Sequence, residues 1–119
     1  MQGIAAVHLG DVTKAQSLLG KALDGSLEQG DDYGALAELN AFAGLAFLMH
    51  QNQNAARLLG FFERQMEGFF KPMDEMDRIE FEQHSARARE KLGEAVFTVL
   101  WAEGRAMTME QALQIARTQ

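Results

Sequence analysis

The 119-residue sequence contains no cysteine and only one proline, Pro72. Without cysteine there can be no disulfide framework and no thiolate nucleophile or metal ligand, a composition expected of a cytoplasmic chain. Val, Ile and Thr are sparse, whereas Ala, Leu, Glu and Gln abound; this mixture disfavours strands and favours helices. No apolar run approaches the roughly 18 residues that a membrane span needs. The N-terminus lacks the basic segment followed by a long apolar run that marks a secretory leader. Bases are also few: 11 Lys and Arg stand against 17 Asp and Glu, for a formal net charge of −6. With no basic stripe, direct binding to nucleic acid is not expected. What remains is a single all-α domain, long enough for one core and too short for two.

The remaining pattern is organised around Leu36 to His50. At helical spacing, Leu36, Leu39, Ala43 and Ala46 form one apolar stripe, and Phe42, Leu45, Leu48 and Met49 form another. A surface helix needs only one stripe, so this helix is expected to lie between neighbours. Ala43, Gly44 and Ala46 are small enough to let another backbone approach. Before it, Gly3 to Leu9 reads as a short apolar segment, and a helix is predicted from about Val12 to Gln29. Gly10-Asp11 and Gly30-Asp31-Asp32 combine a helix stop with an N-cap for the next helix. Further helices are predicted over about Gln53–Phe69, with Asn52 as cap, and over Glu75–Leu92 behind the break at Lys71-Pro72-Met73-Asp74. A short helix, Glu94–Glu103, is expected to end in a turn at Gly104-Arg105-Ala106-Met107. Thr108 with Gln111 then reads as a capping box for a closing amphipathic helix bearing Met109, Ala112, Leu113 and Ala116. The expectation is about seven helices.

The chain also aligns with itself: Gly3 falls on Gly44, Asp11 on Asn52, Ala15 on Ala56 and Leu18 on Leu59. Gly3, Gly10, Asp11, Ala15 and Ala22 stand where the tetratricopeptide repeat has its small residues and its Gly-Asp turn, and the chain resembles that motif. The second copy departs from it, with Gln51 for the turn Gly, Glu63 for the last Ala and Asn40 where an aromatic is common. Ala55-Ala56-Arg57-Leu58-Leu59-Gly60, Leu92-Gly93-Glu94-Ala95-Val96-Phe97 and Trp101 to Ala112 are similar to the C-terminal helical array of bacterial multidomain signalling ATPases, including LuxR-type transcriptional regulators. The resemblance implies a right-handed α-α superhelix, with residues 1–119 forming one tetratricopeptide-like domain that is a piece of a longer array. It further implies a non-catalytic, signal-sensing scaffold whose partner is a protein or peptide, including other modules of the same regulator. The alternative is a small-molecule effector-binding domain.

No constellation supports an enzyme, a cofactor or a resident metal. Glu80 and His84 stand one helical turn apart but lack the further ligands a metal site needs, and they read as part of a solvated charged helix. His8 and His50 end apolar helices, where they suit the C-terminal dipole. Glu63 and Glu67, and the cluster Asp74, Glu75 and Asp77, read as solvated carboxylates rather than an acid–base pair. Gly20-Lys21 lacks the rest of a phosphate-binding loop. Trp101, spaced with Phe97 and Leu100, reads as core. The pairs Phe61-Phe62 and Phe69-Phe70 cannot all face inward from one helix, which makes Phe61, Phe69 and Phe70 candidates for a second surface. Ile4 and Val7 are candidates at the N-terminal edge, where a missing upstream repeat would leave an apolar face for a homodimer to cover.

Overall fold

In the computed structural model, which describes residues 11–69 and 73–117, all regular structure is helical. The elements are α1 (Val12–Glu28), α2 (Asp32–Leu48), α3 (Asn52–Met66), α4 (Glu75–Leu92), α5 (Glu94–Arg105) and α6 (Met109–Arg117). The expected segment Gly3 to Leu9 lies outside the described residues. The all-α expectation holds, and no described helix is long and apolar enough to cross a membrane.

The first turns follow from local chemistry. The Asp11 carboxylate accepts a hydrogen bond from the Lys14 amide at 3.0 Å, and the Asp31 carboxylate accepts one from the Gly34 amide at 2.9 Å. Each thereby satisfies a donor left open at a helix start. α1 and α2 end in the same six-residue turn. Asp31 N donates to Ser26 O and Gly30 N to Leu27 O; Gln51 N donates to Ala46 O and His50 N to Phe47 O. Such a turn needs a left-handed residue. Gly30 supplies it at φ 69°, and His50 does so at φ 60° where a glycine would be easier. Gln51, rather than Asn52, holds the cap position of α3, without a side-chain cap bond. At α6 the expected capping box forms: Thr108 N donates to Gln111 Oε1 at 2.9 Å, and Gln111 N to Thr108 Oγ1 at 3.2 Å.

α2 is buried without interruption from Ala35 to Phe47. Both of its apolar stripes are covered, by α1, α3, α4 and α6. Leu39 and Leu45 are fully buried, and each such side chain contributes about 1.5–3 kcal/mol relative to exposure. A tight approach lies where α3 crosses α5. A Cβ on Gly60 would collide with the Trp101 carbonyl oxygen, and a Cβ on Gly104 would collide with that of Arg57. The two glycines let the backbones touch at reciprocal points. Gly104 and Arg105 are therefore the last turn of α5 rather than the loop expected from the sequence.

Around that crossing an aromatic series ties three helices together. Phe62 of α3 meets Phe81 of α4 at 5.5 Å between centroids, Phe81 meets Trp101 of α5 at 5.7 Å, and Trp101 meets Phe97 at 4.9 Å. α6 packs against α2 and α3, burying Ala112 and Ala116. Its Arg117 reaches Asp24 of α1 at 3.2 Å, joining the last helix to the first described one.

Candidate interaction surface

α4 presents an unusual inner face. Its buried residues are Glu80, His84 and Ala88, one per turn. Phe81, the aromatic anchor, turns instead toward α3 and α5. Glu80 and His84 are thus not the solvated pair that the charged composition of this helix suggested. Their side chains are 10% and 7% exposed, and His84 Nε2 lies 3.2 Å from Glu80 Oε2. His84 packs against the Phe47 ring, with the Arg87 guanidinium over the same ring at 5.6 Å.

The contacts between α2 and α4 run in step along both helices. Tyr33 OH donates to Asp77 Oδ2 at 2.8 Å and accepts from the Asp74 amide at 2.8 Å. Asn40 Nδ2 donates to the Asp77 carbonyl at 3.2 Å. Phe47 then meets His84. Early residues pair with early and late with late, so the two helices run parallel, each folding back into its successor, α3 or α5. Their start forms a polar corner with the end of α1, where Ser26 Oγ donates to Glu38 Oε2 at 2.8 Å.

Negative charge gathers in this corner. Burial raises the Glu38 carboxyl above its usual range, with help from the nearby Asp31 and Asp77 charges; the Ser26 hydrogen bond opposes this. Burial also raises the Asp77 carboxyl, with Asp74 and Glu80 adding repulsion and the Tyr33 hydroxyl opposing it. Burial pushes the Tyr33 hydroxyl up to about 12, and the neighbouring Asp77 and Asp74 charges act in the same direction. Among the described residues no cation is a cause of the Glu38 or Asp77 shift. Two buried atoms, Asn40 Oδ1 and His84 Nδ1, have no hydrogen-bond partner among the described residues. A buried polar atom left this way normally demands a reason.

Other residues singled out in the sequence fall into structural roles. Glu63 accepts from Trp101 Nε1 at 3.0 Å and from Arg105 Nη1 at 2.6 Å, while Arg105 Nη2 reaches Glu67 at 2.8 Å. The Glu63–Glu67 pair is therefore a clamp on Arg105. Trp101 is only half-buried, its indole nitrogen directed to that clamp. Phe61 is fully buried and Phe62 nearly so, so both rings of that pair do face inward and Phe61 offers no surface to a partner in this conformation. Phe69 is half-buried, edge-on to Tyr33 at 5.7 Å between centroids. Phe70, Ile4 and Val7 lie outside the described residues. The exposed side of α1 carries Thr13, Ser17, Lys21, Asp24 and Glu28, a polar set. Among the described residues no group of three or more His, Asp and Glu could hold a metal ion. A cleft of about 410 Å³ beside α6, lined by Asn54, Arg57, Met107, Gln111, Gln114 and Ile115, is wide open to solvent.

Sequence reasoning passed over Tyr33 and Glu38, and it read Asp77 as solvated where burial raises its carboxyl. A clue was present: Glu38 and Asn40 are polar residues inside a helix otherwise apolar all round. Comparison of the chain with protein families, with characterised proteins and with solved structures gives no match.

Proposed function

We propose that this chain is a non-catalytic interaction scaffold, one that holds a protein or peptide and passes on its presence as a signal. In the setting its repeat resembles, the partner would be another module of a bacterial transcriptional regulator, and the helices would form a tetratricopeptide-like array. The observation that carries the reading is the α2–α4 corner. Helical folds without catalytic groups hide charge only at a cost, and here Glu38 and Asp77 are drawn inward, with no described cation among the causes that shift their carboxyls. Natural chains retain such frustrated polar groups mainly where function needs them.

The test is binding by a purified partner. A candidate is recovered by affinity capture on the wild-type chain, purified, and titrated against wild type and an Asp74→Asn, Asp77→Asn double variant. Saturable binding that weakens in the variant supports the scaffold. Absence of saturable binding by every purified candidate overturns it. A metabolite panel that raises the wild-type Tm in proportion to ligand concentration would replace it with the effector-domain reading.

A further inference from the structure

We infer that the cleft between α1 and α6 at Gly20 receives a helix of the partner protein, one that lays a large apolar side chain (leucine, methionine or phenylalanine) over Phe42 and carries an arginine or lysine beside it. The inference rests on the scaffold reading and adds a second contact to it. The cleft and the polar corner are on different sides of α2. Phe42 lines the cleft and Asn40 reaches the corner, and two residues along a helix stand about 200° apart around its axis.

The first argument is a glycine that no described neighbour requires. Gly20 stands in the middle of α1, where glycine weakens a helix relative to alanine. Such a glycine has its reason where something must come close. At Gly60 and Gly104 that something is the backbone of a crossing helix. At Gly20 an added Cβ would meet no described atom within 4 Å. Gly25 is equally open, but it lies five residues on, on another side of α1, and does not line the cleft.

The second argument is shape. The cleft holds about 260 Å³ and is lined by Gly20, Leu23 and Asp24 of α1, Phe42 of α2, and Ala116 and Arg117 of α6. Leu23 and Phe42, both nearly buried, make its floor apolar. The volume is below the roughly 300–1,000 Å³ of small-molecule sites and suits a single large side chain. Gly20, Leu23 and Asp24 are neighbours at helical spacing, so the cleft runs along one face of α1. A helix laid along that face can approach at Gly20 as α5 approaches α3 at Gly60.

The third argument is the mouth of the cleft. Arg117 meets Asp24 there at 3.2 Å, with side chains 56% and 62% exposed. The pair shows that a guanidinium fits against Asp24, and a pair so exposed is held weakly. An arginine or lysine on the incoming helix therefore takes the place of Arg117.

The experiment selects on the full wild-type chain from a phage-displayed library of helices of about 16 residues, long enough to hold their form, in an Ala, Glu and Lys host randomised along one face. Selected peptides should carry Leu, Met or Phe next to Arg or Lys. In fluorescence anisotropy with a labelled selected peptide, Gly20→Leu should weaken binding by about tenfold or more, because its side chain fills the cleft. Gly20→Ala should weaken it less and should raise the Tm of the free chain, since alanine favours the helix and meets no described atom. Circular dichroism melts show that each variant is folded. Glu90→Gln, on the exposed far end of α4, should bind as wild type. The inference is overturned if no helical peptide is selected, if selected peptides bind Gly20→Leu as tightly as wild type, or if Gly20→Ala lowers the Tm, which would mean that another part of the chain already fills the space. A purified partner that loses affinity for the Asp74→Asn, Asp77→Asn double variant but ignores Gly20→Leu would sink the inference and leave the scaffold standing. A peptide bound at Gly20 while no purified protein binds the chain would leave the cleft as a helix site and sink the scaffold.

Discussion

α2 and α4 lie side by side, run in the same direction and are of similar length, yet they are held in place by opposite means. α2 is buried all round by Leu, Phe and Ala, with Asn40 and Glu38 as its buried polar exceptions. α4 meets α2 through a buried Glu, a buried His and an Ala, and through hydrogen bonds from Tyr33 and Asn40. Burial of a helix face therefore does not require that the face be apolar; it requires that its polar groups find partners. The difference also has a direction. The α2–α3–α5 side is close-packed and intolerant of added volume, whereas the α2–α4 side depends on charge state.

The comparison is broken most violently at the backbone crossing. Gly104→Val or Gly60→Val places side-chain atoms where the Arg57 or Trp101 carbonyl already stands. The expected loss is about 3 kcal/mol or more, beyond ordinary overpacking because backbone cannot rotate away. A urea midpoint within error of wild type for either variant would show that the helices do not touch there. Since both glycines serve one crossing, the double variant should lose less than the sum of the singles.

Next in size is Phe61→Ala, expected to lose about 3–5 kcal/mol from a fully buried ring. Trp101→Ala should lose less, about 2–3 kcal/mol, because the indole is half-buried and part of its role is the hydrogen bond to Glu63. If the two losses came out equal, the distinction between them would disappear.

The smallest effect sharpens the comparison from the α4 side and concerns pH. Glu38 and Asp77 bind their protons more tightly folded than unfolded. The stability they contribute is therefore complete below their ordinary values of 4.5 and 3.8 and is lost as the pH rises through their raised folded values. On lowering the pH from about 7 toward 5, these two groups should raise the Tm. Glu38→Gln should remove part of that rise and be at least as stable as wild type near neutrality. A pH profile for Glu38→Gln that superimposes on the wild-type profile would show that the carboxylate is not held out of water.

Helix existence and type were legible because periodicity and cap chemistry are local. Asp11, Gly30-Asp31 and the Thr108–Gln111 box act within a few residues of themselves, and the breadth of the Leu36–His50 apolar pattern announced a helix with neighbours on every side. Gly104 was misread as a loop because glycine has two uses, freedom of backbone angle and absence of volume. Which one applies at Gly104 depends on α3, far away in the chain. The polar corner was invisible for a related reason. Nothing near Asp77 in the sequence says that Tyr33 will reach it, and a charged helix such as Glu75–Leu92 looks solvated until its inner face is known.

By itself, then, the sequence determined an all-helical chain, the approximate ends of its described helices and the burial of its third predicted segment, since hydrogen-bond caps and apolar period operate at short range. Only the tertiary structure decided that two glycines meet across a crossing, that Glu80 and His84 turn inward, and that acidic residues at the starts of two helices converge. Those outcomes depend on which faces come together. Electrostatic repulsion and close packing are properties of distances in space, and distances between remote residues exist only once the chain has folded.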